Sequence, residues 1–123
     1  MKILIIDDDR WFAYVVAKTL HGLGWKTFIA RDGAKGIDAI DSFDPDAVLL
    51  DVMLPGPTAP ALLNELQSHT DLADLPVVLC TSVNSSEFDA DSLKSYGVKS
   101  VLDKAYSEPG DIVKALIHAV DQN

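Results

Sequence analysis

A handful of acids, a threonine and a lysine carry the chemistry open to this chain. Asp7, Asp8 and Asp9 follow the apolar run Ile3-Leu4-Ile5-Ile6. Asp51 follows Val48-Leu49-Leu50, Thr81 follows Val77-Val78-Leu79-Cys80, and Lys104 follows residues 99–103. Carboxylates at close range repel and raise one another's pKa unless a cation is shared. A hard ion relieves this, and Mg²⁺ needs only one or two carboxylates plus water and phosphate oxygens. An ammonium beside such an ion makes sense once a phosphoryl group faces both. Asp51 would then attack phosphorus as nucleophile. The ion and Lys104 would neutralise charge on the transferred oxygens, with Thr81 donating a hydrogen bond to one of them.

That chemistry needs elements that bring distant residues to one edge. Residues 2–6 read as a buried strand, and residues 11–23 place Phe12, Val16, Leu20 and Leu23 on one helical face. Gly22 and Gly24 end that helix. Residues 25–30 form a second strand. Ala34, Ile37, Ile40 and Phe43 mark a second helix that stops before Pro45, and residues 46–50 form a third strand. A third helix spans 59–68 with Leu62, Leu63 and Leu66. Strand four covers 76–80, a helix with a thin apolar face (Phe88, Leu93, Tyr96) covers 86–96, and a short strand covers 99–103. Ser107 is the expected cap of a last helix carrying Ile112, Leu116, Ala119 and Val120.

Strands alternating with helices predict an α/β fold, (βα)5, with a parallel sheet covered on both faces by right-handed crossovers. The near-continuous apolar strands fit burial on two sides. Five units are too few for an eightfold barrel. An open doubly wound, flavodoxin-like sheet in the order 2-1-3-4-5 remains, with ligands beyond the carboxyl ends of the strands. In that order strands one and three are neighbours, which brings Asp7 and Asp8 close to Asp51.

Composition bounds the alternatives. The 123 residues make one domain, residues 1–123, and the 48% hydrophobic content excludes a disordered chain. One cysteine, Cys80, excludes a disulfide framework or a cysteine-rich zinc site. No run of about 20 apolar residues offers a membrane span, and MKILIIDDD is no signal peptide, so the expected compartment is the cytoplasm. The net charge of −9 opposes unaided nucleic-acid binding. Sixteen of the 19 acids are Asp; most suit solvated turns and helix caps, and the sharper reading of the excess is a divalent-cation site.

The chain resembles the receiver domain of two-component response regulators, over essentially its whole length. The matching motifs are Asp7-Asp8 after strand one, Asp51 in DVMLPG, Thr81 in VVLCTS and Lys104 after strand five. The resemblance implies that Asp51 is the phospho-acceptor, taking a phosphoryl group from a sensor histidine kinase or a phosphotransfer protein. It implies Asp8 as a direct Mg²⁺ ligand, Asp7 as a ligand largely through water, and the backbone carbonyl of Met53 as a further one. Thr81 and Lys104 would contact the phosphoryl group. The docking face would be residues 86–96, strand five and the last helix.

Three positions depart from the family pattern. The proline that usually follows the strand-five lysine is Ala105; a cis bond to a non-proline residue costs about 3 kcal/mol, so a trans Lys104–Ala105 bond and a displaced loop are expected. The switch aromatic is Val101, which has little reach. The usual glycine eight residues after Asp51 is Ala59, among Pro55, Pro57 and Pro60, which stiffen the segment. Met53 and Val83 would flank the attacking water, and both are apolar, so a long-lived aspartyl phosphate is expected.

Other readings fit less well. A degenerate receiver, binding partners without phosphate, is the alternative; the intact acid set, Thr81 and Lys104 oppose it. An aspartyl-nucleophile phosphatase needs a second acid where Met53 stands. A Rossmann domain needs a glycine-rich turn after strand one. Asp9 reads as a helix cap, His21, His69 and His118 as surface residues, Cys80 as core, and Trp11 as packing near the site rim or, if exposed, as a partner contact. The chemistry would serve signalling, so the chain is not read as an enzyme. Whether it stands alone or belongs to a longer protein is open.

Overall fold

The computed structural model describes residues 1–51, 59–68, 75–81 and 94–121. Strands β1 (Lys2–Ile6), β2 (Lys26–Ala30), β3 (Ala47–Leu50), β4 (Val77–Thr81) and β5 (Val98–Asp103) form one sheet in the order β2-β1-β3-β4-β5. All four pairings are parallel. Helices α1 (Arg10–Gly22), α2 (Gly33–Phe43), α3 (Ala59–Ser68) and α4 (Pro109–Asp121) cover it. This is the expected doubly wound, flavodoxin-like architecture. The helix expected over 86–96 lies mostly outside the described residues; Lys94 and Ser95 are helical.

The apolar strands split by residue parity. Leu4, Ile6, Val48, Leu50, Val77 and Leu79 face α2 and α3, where they pack with Ile40, Leu62, Leu63 and Leu66. Ile3, Ile5, Ala47, Leu49, Val78 and Cys80 face α1 and α4, meeting Val16, Leu20, Ile112 and Leu116. Successive side chains of a strand point to opposite faces, so a run such as ILII feeds both layers and fixes the sheet between them.

Local signals set where each helix begins and ends. The Asp9 carboxylate caps α1, accepting from the Phe12 N–H at 3.1 Å, as expected for a capping acid. The same helix ends in a Schellman turn: Gly24 N–H reaches the His21 carbonyl and Trp25 N–H reaches that of Leu20. Gly24 takes φ +82, which glycine adopts without penalty. Asp32 caps α2 through the Lys35 N–H. The cap of α4 differs from expectation. Pro109 opens the helix, and the Asp111 carboxylate accepts from the Glu108 N–H at 2.8 Å. Ser107 stands outside, its N–H bonded to the Asp103 carbonyl. Proline at the first helical position gives up no hydrogen bond there, which sets the start two residues beyond Ser107. Among the described residues no helix is long and apolar enough to cross a membrane.

Candidate functional site

The register of the sheet assembles the site. Ile6 pairs with Leu50, so Asp7 and Asp51, the next residues, leave neighbouring strands at one level. The Asp51 N–H donates to the Ile6 carbonyl and the Asp7 N–H to that of Ala30, so backbone bonds hold both acids past the strand ends. On the other side Thr81 pairs with Asp103, and the Lys104 N–H donates to the Thr81 carbonyl at 2.9 Å. Asp7, Asp8, Asp51, Thr81 and Lys104 thus share the carboxyl edge of the sheet.

Carboxylate oxygens of Asp7, Asp8 and Asp51 lie within 4.8 Å of one another. Asp7 and Asp51 are buried, and Asp8 is exposed. The Lys104 ammonium bridges the buried pair, 2.9 Å from Asp7 Oδ2 and 3.2 Å from Asp51 Oδ2. Asp9 Oδ2 stands 3.8 Å away. The Asp7 carboxylate also accepts from the Asp9 N–H at 2.8 Å, which orients it. The Phe12 ring lies beneath the same ammonium, its centroid 4.5 Å from Nζ.

This geometry leaves a charge deficit. Burial raises the Asp7 carboxyl above its ordinary value, and the hydrogen bond from Lys104 offsets part of the rise. Burial acts to lower the Lys104 ammonium, but the hydrogen bond and charge of Asp7, with the charge of Asp51, raise it overall. Lys104 is therefore held protonated. One positive charge against three clustered carboxylates leaves a site suited to a hard, oxygen-seeking cation. The donor set is all oxygen and fits Mg²⁺. An exposed Asp8 beside two buried acids gives such an ion an approach from solvent.

Several other residues fall where expected and some do not. Cys80 is core, and burial pushes its thiol up to about 12. His21 is exposed and hydrogen-bonded to Thr27 Oγ1, and His118 is exposed. The Lys104–Ala105 peptide is trans. Val101 is half-buried against the core under α2 and α3. Trp11 lies at the rim, lining the cavity beside Lys104, but it is 74% exposed and tilted against Tyr14 rather than packed inward. It projects because Phe12, the next residue, takes the inward place on α1. A cavity of about 480 Å³ opens between these elements, lined in part by Trp11, Phe12, Lys104, Ala105 and Pro109. Met53, Val83 and His69 lie outside the described residues. The sequence reading missed Phe12 as a site residue; its place eight residues before Leu20 on an apolar face marked it as core.

Residues 3–117 match the family model of the response regulator receiver domain. The chain is 36% identical over 85 residues to the response regulator MprA of Mycobacterium avium (strain 104), covering 69% of this chain and 36% of that protein. It is 35% identical, with the same coverage, to response regulator MprA of Mycobacterium bovis (strain BCG / Pasteur 1173P2). The chain thus spans about a third of the length of these curated relatives. Among solved structures it superposes on a CheY-like receiver domain protein from Methanospirillum hungatei JF-1 with a TM-score of 0.86 at 21% identity, covering 98% and 94% of the two chains. The BeF3-activated N-terminal receiver domain of Klebsiella pneumoniae RstA gives 0.82 at 27% identity, covering 98% of each chain. With the sheet order, the acid cluster and these matches together, the chain belongs to the response regulator receiver domain family of two-component signalling.

Proposed function

We propose that this chain, residues 1–123 as one domain, is a phosphoacceptor switch in which Asp51 takes a phosphoryl group in a Mg²⁺-dependent reaction. The donor is a phosphohistidine of a sensor kinase or phosphotransfer protein. The observation that carries the reading is the Lys104 ammonium shared by Asp7 and Asp51 beside Asp8, at the carboxyl edge of the sheet. A relative at 27% identity, the Klebsiella RstA receiver, is described in a BeF3-activated form, which agrees with a phosphoryl-sized occupant.

In the reaction an Asp51 oxygen forms the new O–P bond while the P–N bond to the donor imidazole breaks, and the imidazole nitrogen keeps the electron pair and later takes a proton. When bound, Mg²⁺ supplies positive charge at the transferred oxygens. Asp7, Asp8, Asp51 and the Met53 carbonyl are its proposed ligands. Lys104 supplies a further positive charge from the protein, the charged form being favoured by Asp7 and Asp51. Thr81, buried at the end of β4, is the proposed hydroxyl donor. Modification at Asp51 then alters partner binding. The domain acts in the cytoplasm, without binding nucleic acid or membrane itself, and serves signalling rather than turnover.

The test is incubation with acetyl phosphate, with and without Mg²⁺, followed by intact mass. Wild type should gain one phosphoryl group only with Mg²⁺, and Asp51→Asn should gain none. No gain in either protein would favour a module that binds partners without phosphate.

A further inference from the structure

The Lys104 ammonium presents a positional problem. Its close partners, Asp7 and Asp51, are the buried members of the acid cluster that would take up the cation. Once those lone pairs turn to an ion, the hydrogen bonds that fix the ammonium are weakened. Asp9 is a poor substitute: its carboxylate is 3.8 Å away and about half exposed, and contacts of that kind contribute little. The face of Phe12 is different. It lies 4.5 Å from Nζ, within the range where an aromatic quadrupole attracts a cation, and it competes with nothing for carboxylate oxygens.

We propose that the Phe12 ring is a positioning group for Lys104, holding the ammonium over the site when a cation occupies the carboxylates. This rests on the functional reading above. The ring is itself well fixed. Phe12 sits in the first turn of α1, and its N–H is bonded to the Asp9 carboxylate. Its side chain packs against the core between α1 and α4. The residue that orients the helix start therefore also sets the height of the ring beneath the ammonium. Phe12 also lines the cavity of about 480 Å³ that Lys104 and Ala105 border.

The experiment compares wild type with Phe12→Leu, which keeps apolar bulk without a ring, and Phe12→Tyr, which keeps the ring. Proton NMR of the Lys104 ε-methylene reads the contact directly, since a ring face shifts it upfield. The upfield position should persist when MgCl₂ is added to wild type and to Phe12→Tyr, and be absent in Phe12→Leu. Initial rates with acetyl phosphate at saturating Mg²⁺ should fall about five- to tenfold in Phe12→Leu, as loss of a partly desolvated cation–π contact implies. They should return to within about twofold of wild type in Phe12→Tyr. An ε-methylene that loses its upfield shift on Mg²⁺ addition, or a Leu variant as fast as wild type, overturns the proposal. If wild type takes no phosphoryl group at all, the functional reading fails, and the NMR comparison still decides whether the ring holds the ammonium.

Discussion

Mg²⁺ should stabilise this fold by an amount that the acid cluster sets. Asp7, Asp8 and Asp51 bring three carboxylates within 4.8 Å, and the Lys104 ammonium offsets one of those charges. An ion that binds the folded site and not the unfolded chain stabilises by RT ln(1 + [L]/Kd), about 2.7 kcal/mol at a hundredfold excess over Kd. For 123 residues the unfolding entropy near 60 °C is about 260 cal/mol/K, so 1 kcal/mol moves Tm by about 4 °C. Differential scanning calorimetry should therefore show Tm rising by about 10 °C at that excess. Asp7→Asn and Asp51→Asn should each flatten the response. Lys104→Met should act the other way. The ammonium competes for the same oxygens, and giving up even one charge-assisted hydrogen bond of about 1.5 kcal/mol corresponds to about tenfold in affinity. The Mg²⁺ midpoint should fall by about that factor in Lys104→Met, while its Mg²⁺-free Tm drops because the acids lose their counter-charge. A Mg²⁺ response equal in wild type and Asp51→Asn, or a weaker midpoint in Lys104→Met, would refute the shared-site reasoning.

Three further outcomes follow from the same structure. Folded Asp7 holds its proton more tightly than the unfolded chain does at 3.8, so its contribution to stability is present in acid and lost as pH rises through the raised folded value. Without Mg²⁺, Asp7→Asn should thus raise Tm at pH 7, and the gain should shrink as pH falls toward 4, measured by thermal melts across pH. Gly36→Ala would set a Cβ 2.4 Å from Ile6 Cδ1 and 2.9 Å from its Cγ1. Overpacking of this kind costs about 1–3 kcal/mol, and chemical denaturation should report that loss with an unchanged slope. Cys80, buried and raised to about 12, should resist alkylation at pH 8 in the folded protein and react when denatured, as counted by mass.

Much of the fold was legible from the chain because the signals are local and repeated. Runs such as Ile3–Ile6 and Val77–Cys80 carry apolar residues at both parities, which suits a strand buried on two faces and little else. Three such runs (β1, β3 and β4) and two more mixed strands, spaced by helical periods, leave few topologies. The site acids were legible because each ends a strand, and parallel strands put all their ends on one edge. Asp9 was legible as a cap because a short acid before an apolar helical face has a local partner, the Phe12 N–H. The cap of α4 was misread as Ser107 because several polar residues precede that helix, and the choice among them turned on where Pro109 fits.

Tertiary structure alone decided how those residues are used. Asp7 and Asp8 are chemically identical neighbours, yet one is buried against Lys104 and the other exposed, because successive residues leave the strand in opposite directions. The sequence could not say that one ammonium spans Asp7 and Asp51, 97 and 53 residues away, nor that Phe12 lies beneath it while Trp11 points to solvent. Residue type and spacing determine the elements and the inventory of charged groups. Which charges pair, and which are left for an ion, depends on distances set by the register of β1 on β3 and of β4 on β5.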